Sequence, residues 1–142
     1  MLIVCNWPGL NVEEATHIIH CGLVTHAMGH DELKPVTNRS HDPFGGWGAT
    51  IADALSTILV MELHQEFEDA VDTISRTNFS TSSNKDISTF ETIIRYLGGF
   101  LSAYELSGDS RLLHKAEEVG QVVIGAFDTR FGLPYHRWNI ER

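Results

Sequence analysis

The stretch Phe90–Asp109, FETIIRYLGGFLSAYELSGD, decides how the rest of this chain is read. At about 100° per residue, Phe90, Ile93, Ile94, Leu97, Phe100, Leu101 and Tyr104 fall on one broad face, which predicts a helix from about Thr89 to Leu106. Ser107-Gly108-Asp109 stops it, with Gly108 suited to the left-handed cap position. Glu91 and Arg95 share another side of this helix, and so do Gly98, Gly99 and Ser102. Two consecutive glycines inside a helix each cost about 1 kcal/mol relative to Ala. Close approach of a second backbone or of a ligand would offset that cost.

The acidic and basic pair has two readings. Ser88-Thr89-Phe90-Glu91 fits a capping box, and the i,i+4 spacing of Glu91 and Arg95 suits a plain ion pair worth about 0.2–0.5 kcal/mol. Equally, a carboxylate and a guanidinium beside the smallest residues available could face a ligand. Pattern alone leaves both open.

Outward from this helix, helical periodicity dominates and strand signals are nearly absent, so the chain reads as all-α. The stretch Ala49–Leu63, ATIADALSTILVMEL, is apolar nearly all round and predicts a helix packed on several sides. Helices are also expected at about Val12–His26, Gln65–Ser75 and Ser110–Phe127. Pro35 blocks a helix through Gly29–Pro35, while His41–Gly48, Thr77–Asp86 and Asp128–Arg142 read as loops or turns. With apolar surface on more than one side of two helices, these elements struggle to cover one another, so further helices are expected outside this chain.

Composition narrows the partners. Apolar residues make up 42% and charged residues 20% of 142 residues, ordinary for a globular chain. Ten Lys and Arg stand against 19 Asp and Glu, a net charge of −9 with no basic cluster, which disfavours nucleic acid. No apolar run approaches the ~20 residues of a membrane span. Residues 1–11 match nothing familiar and are set apart as an unassigned leader without signal-peptide features. The sequons Asn38-Arg39-Ser40 and Asn78-Phe79-Ser80 favour a secretory setting. Cys5 and Cys21 could pair but establish no disulfide framework.

Other polar groups offer further candidates for chemistry. Asp53, among Ala52, Ala54 and Leu55, needs partners, and Thr50, Ser56 and Thr57 one turn away supply a structural answer. His26 and His30, with Asp31 and Glu32, have metal-ligand spacing, but the HExxH pattern is absent and no third ligand can be named. His17 and His20 are weaker still. No metal site is assigned to this chain.

Several strings, taken together, resemble glycoside hydrolase family 47, the class I alpha-1,2-mannosidases. They are Ala27–Pro35 (AMGHDELKP), Gly45–Thr57 (GGWGATIADALST), Phe90–Asp109, Lys115-Ala116-Glu117, and Ala126–Thr129 leading to Gly132-Leu133-Pro134-Tyr135. Their order and spacing match from about Val12 to Ile140, and the Gly-Gly-Trp-Gly-Ala-Thr form is most like the fungal branch. The resemblance implies that residues 12–142 are the N-terminal part of an (α/α)7 barrel, early helices only. It implies an inverting hydrolase of terminal alpha-1,2-linked mannose on high-mannose N-glycans in the endoplasmic reticulum, the Golgi or outside the cell. It also implies Glu91 as a catalytic carboxylate, usually assigned as general acid, and Arg95 as a substrate contact. Calcium is the family's cofactor, and its ligand and the remaining catalytic acids are expected downstream of Arg142. This chain alone is therefore expected to be inactive. A non-catalytic glycoprotein-binding module and a plain helical interaction domain are the alternatives. Two departures stand out: Thr16, His20 and Leu23 replace bulky rings in the first helix, and Glu62 replaces a customary Gly.

Overall fold

The computed structural model describes residues 12–140. Helix α1 (Val12–Ala27) leads into a short antiparallel hairpin, β1 (Glu32–Lys34) and β2 (Arg39–His41), paired in the register Glu32 to His41. Helices α2 (Ala49–Val60) and α3 (His64–Arg76) follow, then strand β3 (Ile87–Ser88). The decisive helix comes next in three continuous parts: α4 (Thr89–Glu91), a π-helical segment (Thr92–Leu97) and α5 (Gly98–Ser107). Helix α6 (Ser110–Ile124) runs into a 3₁₀ turn (Gly125–Phe127), and β4 (Arg137–Trp138) returns to pair antiparallel with β3. The leader 1–11, with Cys5, and the side chains of His17 and His20 lie outside the described residues, and Cys21 is exposed on α1.

Helices α2, α3, α5 and α6 pack on one another around a shared core. At its centre, Trp47, Phe79, Tyr96 and Phe100 meet with ring centroids 5.4–6.3 Å apart, mostly edge to face or tilted, arrangements that favour aromatic quadrupoles. Leu55, Val71, Ile74, Leu112 and Val119 close around them, all fully buried. Gly99 lies where α5 crosses α2: a Cβ there would sit 2.6 Å from the Ala52 carbonyl oxygen. This is the close backbone approach that the glycine pair called for, at one glycine of the two. Gly98, its neighbour, is exposed.

The buried face of the decisive helix differs from the periodicity reading. Thr92, Tyr96, Phe100 and Ala103 are buried, whereas Phe90 is 60%, Ile94 48% and Leu101 40% exposed. At about 100° per residue Thr92, Tyr96, Phe100 and Ala103 also share one side, away from Phe90, Ile94 and Leu101, so the helix carries two apolar sides and the buried one holds Tyr96 and Phe100. The apolar side left open is the second one that the sequence called for covering.

Smaller differences have local causes. The two strand ladders are two or three residues long, too short to show alternation in sequence. Helix α5 does end on Gly108, at φ 73°, whose N–H reaches the Tyr104 carbonyl at 2.7 Å. Helix α2 stops at Val60 rather than Leu63. The Glu62 N–H bonds the Leu59 carbonyl at 3.0 Å and the Leu63 N–H bonds Ile58 at 3.1 Å, which is a Schellman closure. That closure sets Glu62 at φ 60°, a left-handed conformation favouring glycine, at the position where the resemblance leads one to expect Gly. Glu62→Gly is therefore expected to raise the unfolding free energy by about 0.5–1 kcal/mol, after the extra freedom of Gly in the unfolded chain is discounted. A higher denaturation midpoint is the expected reading, and a lower one would contradict the strain argument.

Candidate active site

The site is assembled around a fully buried carboxylate, that of Asp31. It takes backbone N–H donors from Phe44 (2.7 Å) and Gly46 (2.9 Å) on Oδ2. Its Oδ1 takes those of Trp47 (2.9 Å), Gly48 (3.1 Å) and Ala49 (3.2 Å), together with the Tyr96 hydroxyl at 2.9 Å. Its own carbonyl accepts from the Thr50 hydroxyl at 2.6 Å and the Thr50 N–H at 3.0 Å. Asp31 thus gathers the Gly-rich loop and the first N–H groups of α2, where a negative charge also complements the helix dipole. Burial, and then the Asp31 charge, push the Tyr96 phenol far above its ordinary pKa, so its hydroxyl stays a donor.

That loop presents Phe44. Its ring lies under the Arg95 guanidinium, 4.5 Å from Cζ to ring centroid. Arg95 is held from two further sides: Nε donates to Glu91 Oε2 at 2.7 Å, and Nη1 makes a short contact with Asp53 Oδ2. The three side chains are about 30–40% exposed, so the cluster sits at the surface between the start of the decisive helix and α2. Burial alone would lower the Arg95 pKa; hydrogen bonds to Glu91 and Asp53, and their charges, outweigh it and raise the value. Partly exposed pairs of this kind contribute about 0–1 kcal/mol to stability. What the arrangement supplies is orientation: the guanidinium has little freedom left beside the Glu91 carboxylate.

The two sequence-assigned residues, Glu91 and Arg95, are thus neighbours, as their spacing implies. Ser88 caps the helix as expected, its Oγ accepting from the Glu91 N–H at 3.3 Å. Among the described hydrogen bonds, the Glu91 carboxylate accepts from Arg95, leaving the capping box half made. Asp53 requires a correction. Its carboxylate meets Arg95, 42 residues away, and the Thr50 hydroxyl expected to satisfy it is engaged by Asp31. Asp31 is read from the sequence only as a companion of His26 and His30; its role as the anchor of the loop leaves no residue-type signature, because five of its partners are backbone groups 13–18 residues off.

Two of the described histidines pair with single carboxylates. His30 Nδ1 lies 2.8 Å from Asp42 Oδ2, and His41 Nδ1 lies 3.1 Å from Glu32 Oε2. Among the described residues, no three His, Cys, Asp or Glu side chains converge as a metal ligand set. Asp31 has both oxygens occupied by N–H and O–H donors. These residues do not fit the calcium that the resemblance implies.

With the geometry in place, comparison with known proteins fixes the class. The model of glycosyl hydrolase family 47 matches residues 22–142. Over 114 residues the chain is 47% identical to the endoplasmic reticulum mannosyl-oligosaccharide 1,2-alpha-mannosidase of Rattus norvegicus, covering 80% of this chain and 17% of that protein. It is 40% identical over 141 residues to the probable mannosyl-oligosaccharide alpha-1,2-mannosidase 1B of Aspergillus fumigatus, covering 91% of this chain and 28% of the relative. The solved alpha-1,2-mannosidase from Trichoderma reesei superposes with a TM-score of 0.85 at 30% identity, over 91% of this chain and 30% of its own. The described helices are therefore part of the helical-barrel glycosidase fold. The chain belongs to glycosyl hydrolase family 47. It spans less than a third of the length of each of these relatives.

Proposed function

We propose that this chain supplies the acid-bearing portion of a longer exo-acting alpha-1,2-mannosidase that trims high-mannose N-glycans with inversion. The observation that carries this reading is the cluster of Glu91, Arg95, Asp53 and Phe44, in which one guanidinium is fixed from three directions beside a solvent-accessible carboxyl. Glu91 is the general acid that protonates the departing glycosidic oxygen. Arg95 donates hydrogen bonds to the sugar hydroxyls, and Asp53 and Phe44 hold it in position.

An inverting hydrolase also needs a carboxylate that activates water from the opposite face, with the two carboxyl groups about 6.5–9.5 Å apart. We assign that base, and the ligands of the calcium ion, to residues of the longer parent outside this chain. Calcium, when bound there, would help to orient the sugar. The two sequons and the relatives named as endoplasmic reticulum enzymes support a place in the secretory pathway.

The test is mannose release from a high-mannose N-glycan, comparing the isolated 142 residues with the full-length parent in one buffer, with and without calcium. The parent is expected to release mannose and the isolated chain none. Release by the isolated chain would overturn the division of the catalytic set, and a parent that binds but does not cleave would favour a glycoprotein-binding module.

A further inference from the structure

We propose a second carbohydrate subsite beside Glu91, in the cleft along the β3–β4 ladder, which grips sugar residues of the glycan beyond the one being removed. This rests on the activity proposed above. The cleft has a volume of about 440 Å³ and is lined by Lys85, Asp86, Tyr135, Arg137, Trp138 and Asn139. That size suits a small ligand or one or two sugar rings.

Its position is fixed by the turn that carries Glu91. Strand register sets Arg137 opposite Ser88, the residue whose hydroxyl caps Glu91. Thr89 binds the same wall twice: its hydroxyl donates to the Tyr135 carbonyl at 2.6 Å and its N–H to the His136 carbonyl at 3.1 Å. The cleft therefore cannot shift without moving the start of the catalytic helix.

Its chemistry selects the ligand. The rings of Tyr135 and Trp138 lie nearly parallel, 13° apart in plane with centroids at 6.3 Å, and Tyr135 is 49% exposed. Trp138 is wedged against Gly125, where a Cβ would come within 2.5 Å of the indole, so the aromatic pair has a fixed base. Around these rings stand two cations, one carboxylate and one amide. A phosphate would meet the Asp86 charge, and an apolar ligand would strip water from charged groups with nothing in return. A neutral polyol satisfies the set: its oxygens accept from Lys85 and Arg137, its hydroxyls donate to Asp86, and its C–H faces lie on the rings.

The test uses the full-length parent and two substrates, a methyl alpha-1,2-dimannoside and a high-mannose N-glycan. Tyr135→Ala is expected to raise KM for the N-glycan about three- to tenfold with kcat little changed. The dimannoside, too short to reach the cleft, should keep its KM, and Tyr135→Phe should restore the N-glycan value. An unchanged N-glycan KM, or equal shifts for both substrates, would overturn the subsite. Calorimetric binding of the N-glycan is read alongside. A parent that releases no mannose, yet loses glycan affinity on Tyr135→Ala, refutes the proposed activity and keeps the subsite; mannose release with unaltered affinity does the reverse.

Discussion

Asp31→Ala in the full-length parent is expected to lower the unfolding free energy by about 3–5 kcal/mol, because several buried donors lose one shared acceptor at once. Five backbone N–H groups and the Tyr96 hydroxyl lose their acceptor together. Each donor left buried without a partner costs about 1–3 kcal/mol, and a simple sum overshoots because water enters the space left by the carboxylate. Asp31→Asn should fall between wild type and Ala, since its amide keeps one acceptor oxygen and turns an NH₂ toward N–H donors. The measurement is a denaturant titration of all three proteins. A shift of the Ala variant within about 0.5 kcal/mol of wild type, the usual effect of a surface substitution, would show that the Gly45–Ala49 segment holds its shape without the carboxylate. The same variant should weaken substrate binding, because releasing the Phe44 N–H frees the ring that lies under Arg95.

What the sequence made legible, and what it did not, divides by distance along the chain. Helices α2, α3 and α6 and the Gly108 stop follow from local patterns, since apolar spacing and cap residues act within a turn or two. Glu91 and Arg95 were legible as neighbours for the same reason: four residues on one helix must meet. Their role was not. An i,i+4 ion pair and a catalytic acid beside its substrate clamp look alike until a third group is placed, and that group, Asp53, comes from another helix. Nor could periodicity say which apolar side of the decisive helix is buried here. Both sides carry large side chains, and it is Tyr96 rather than Ile94 that packs into the core. The role proposed for Glu91 and Arg95 comes from the family resemblance, because motifs in order along a chain carry information about contacts that one helix does not.

Glu91→Gln in the full-length parent is expected to reduce kcat for mannose release by about 10²–10⁴, the usual cost of losing one well-placed acid or base. The substitution keeps side-chain length and an oxygen that can still accept from Arg95 Nε, so the Arg95 position and the fold should survive. It removes the ionisable proton, which is the only property the proposed step requires. Two controls separate chemistry from structure. The melting temperature should stay close to wild type, because a partly exposed ion pair contributes about 0–1 kcal/mol. KM should change little, because the sugar contacts assigned to Arg95 remain. Arg95→Lys provides the contrast: a point charge cannot reproduce the planar fork that meets Glu91, Asp53 and Phe44 together, so KM should rise while the acid is retained. An activated substrate, such as an aryl mannoside with an acidic phenol as leaving group, should narrow the Glu91→Gln deficit, since a good leaving group needs little protonation. An equal deficit on both substrates would move Glu91 from proton donor to a structural role, and a near-normal rate on the N-glycan would remove it from catalysis altogether.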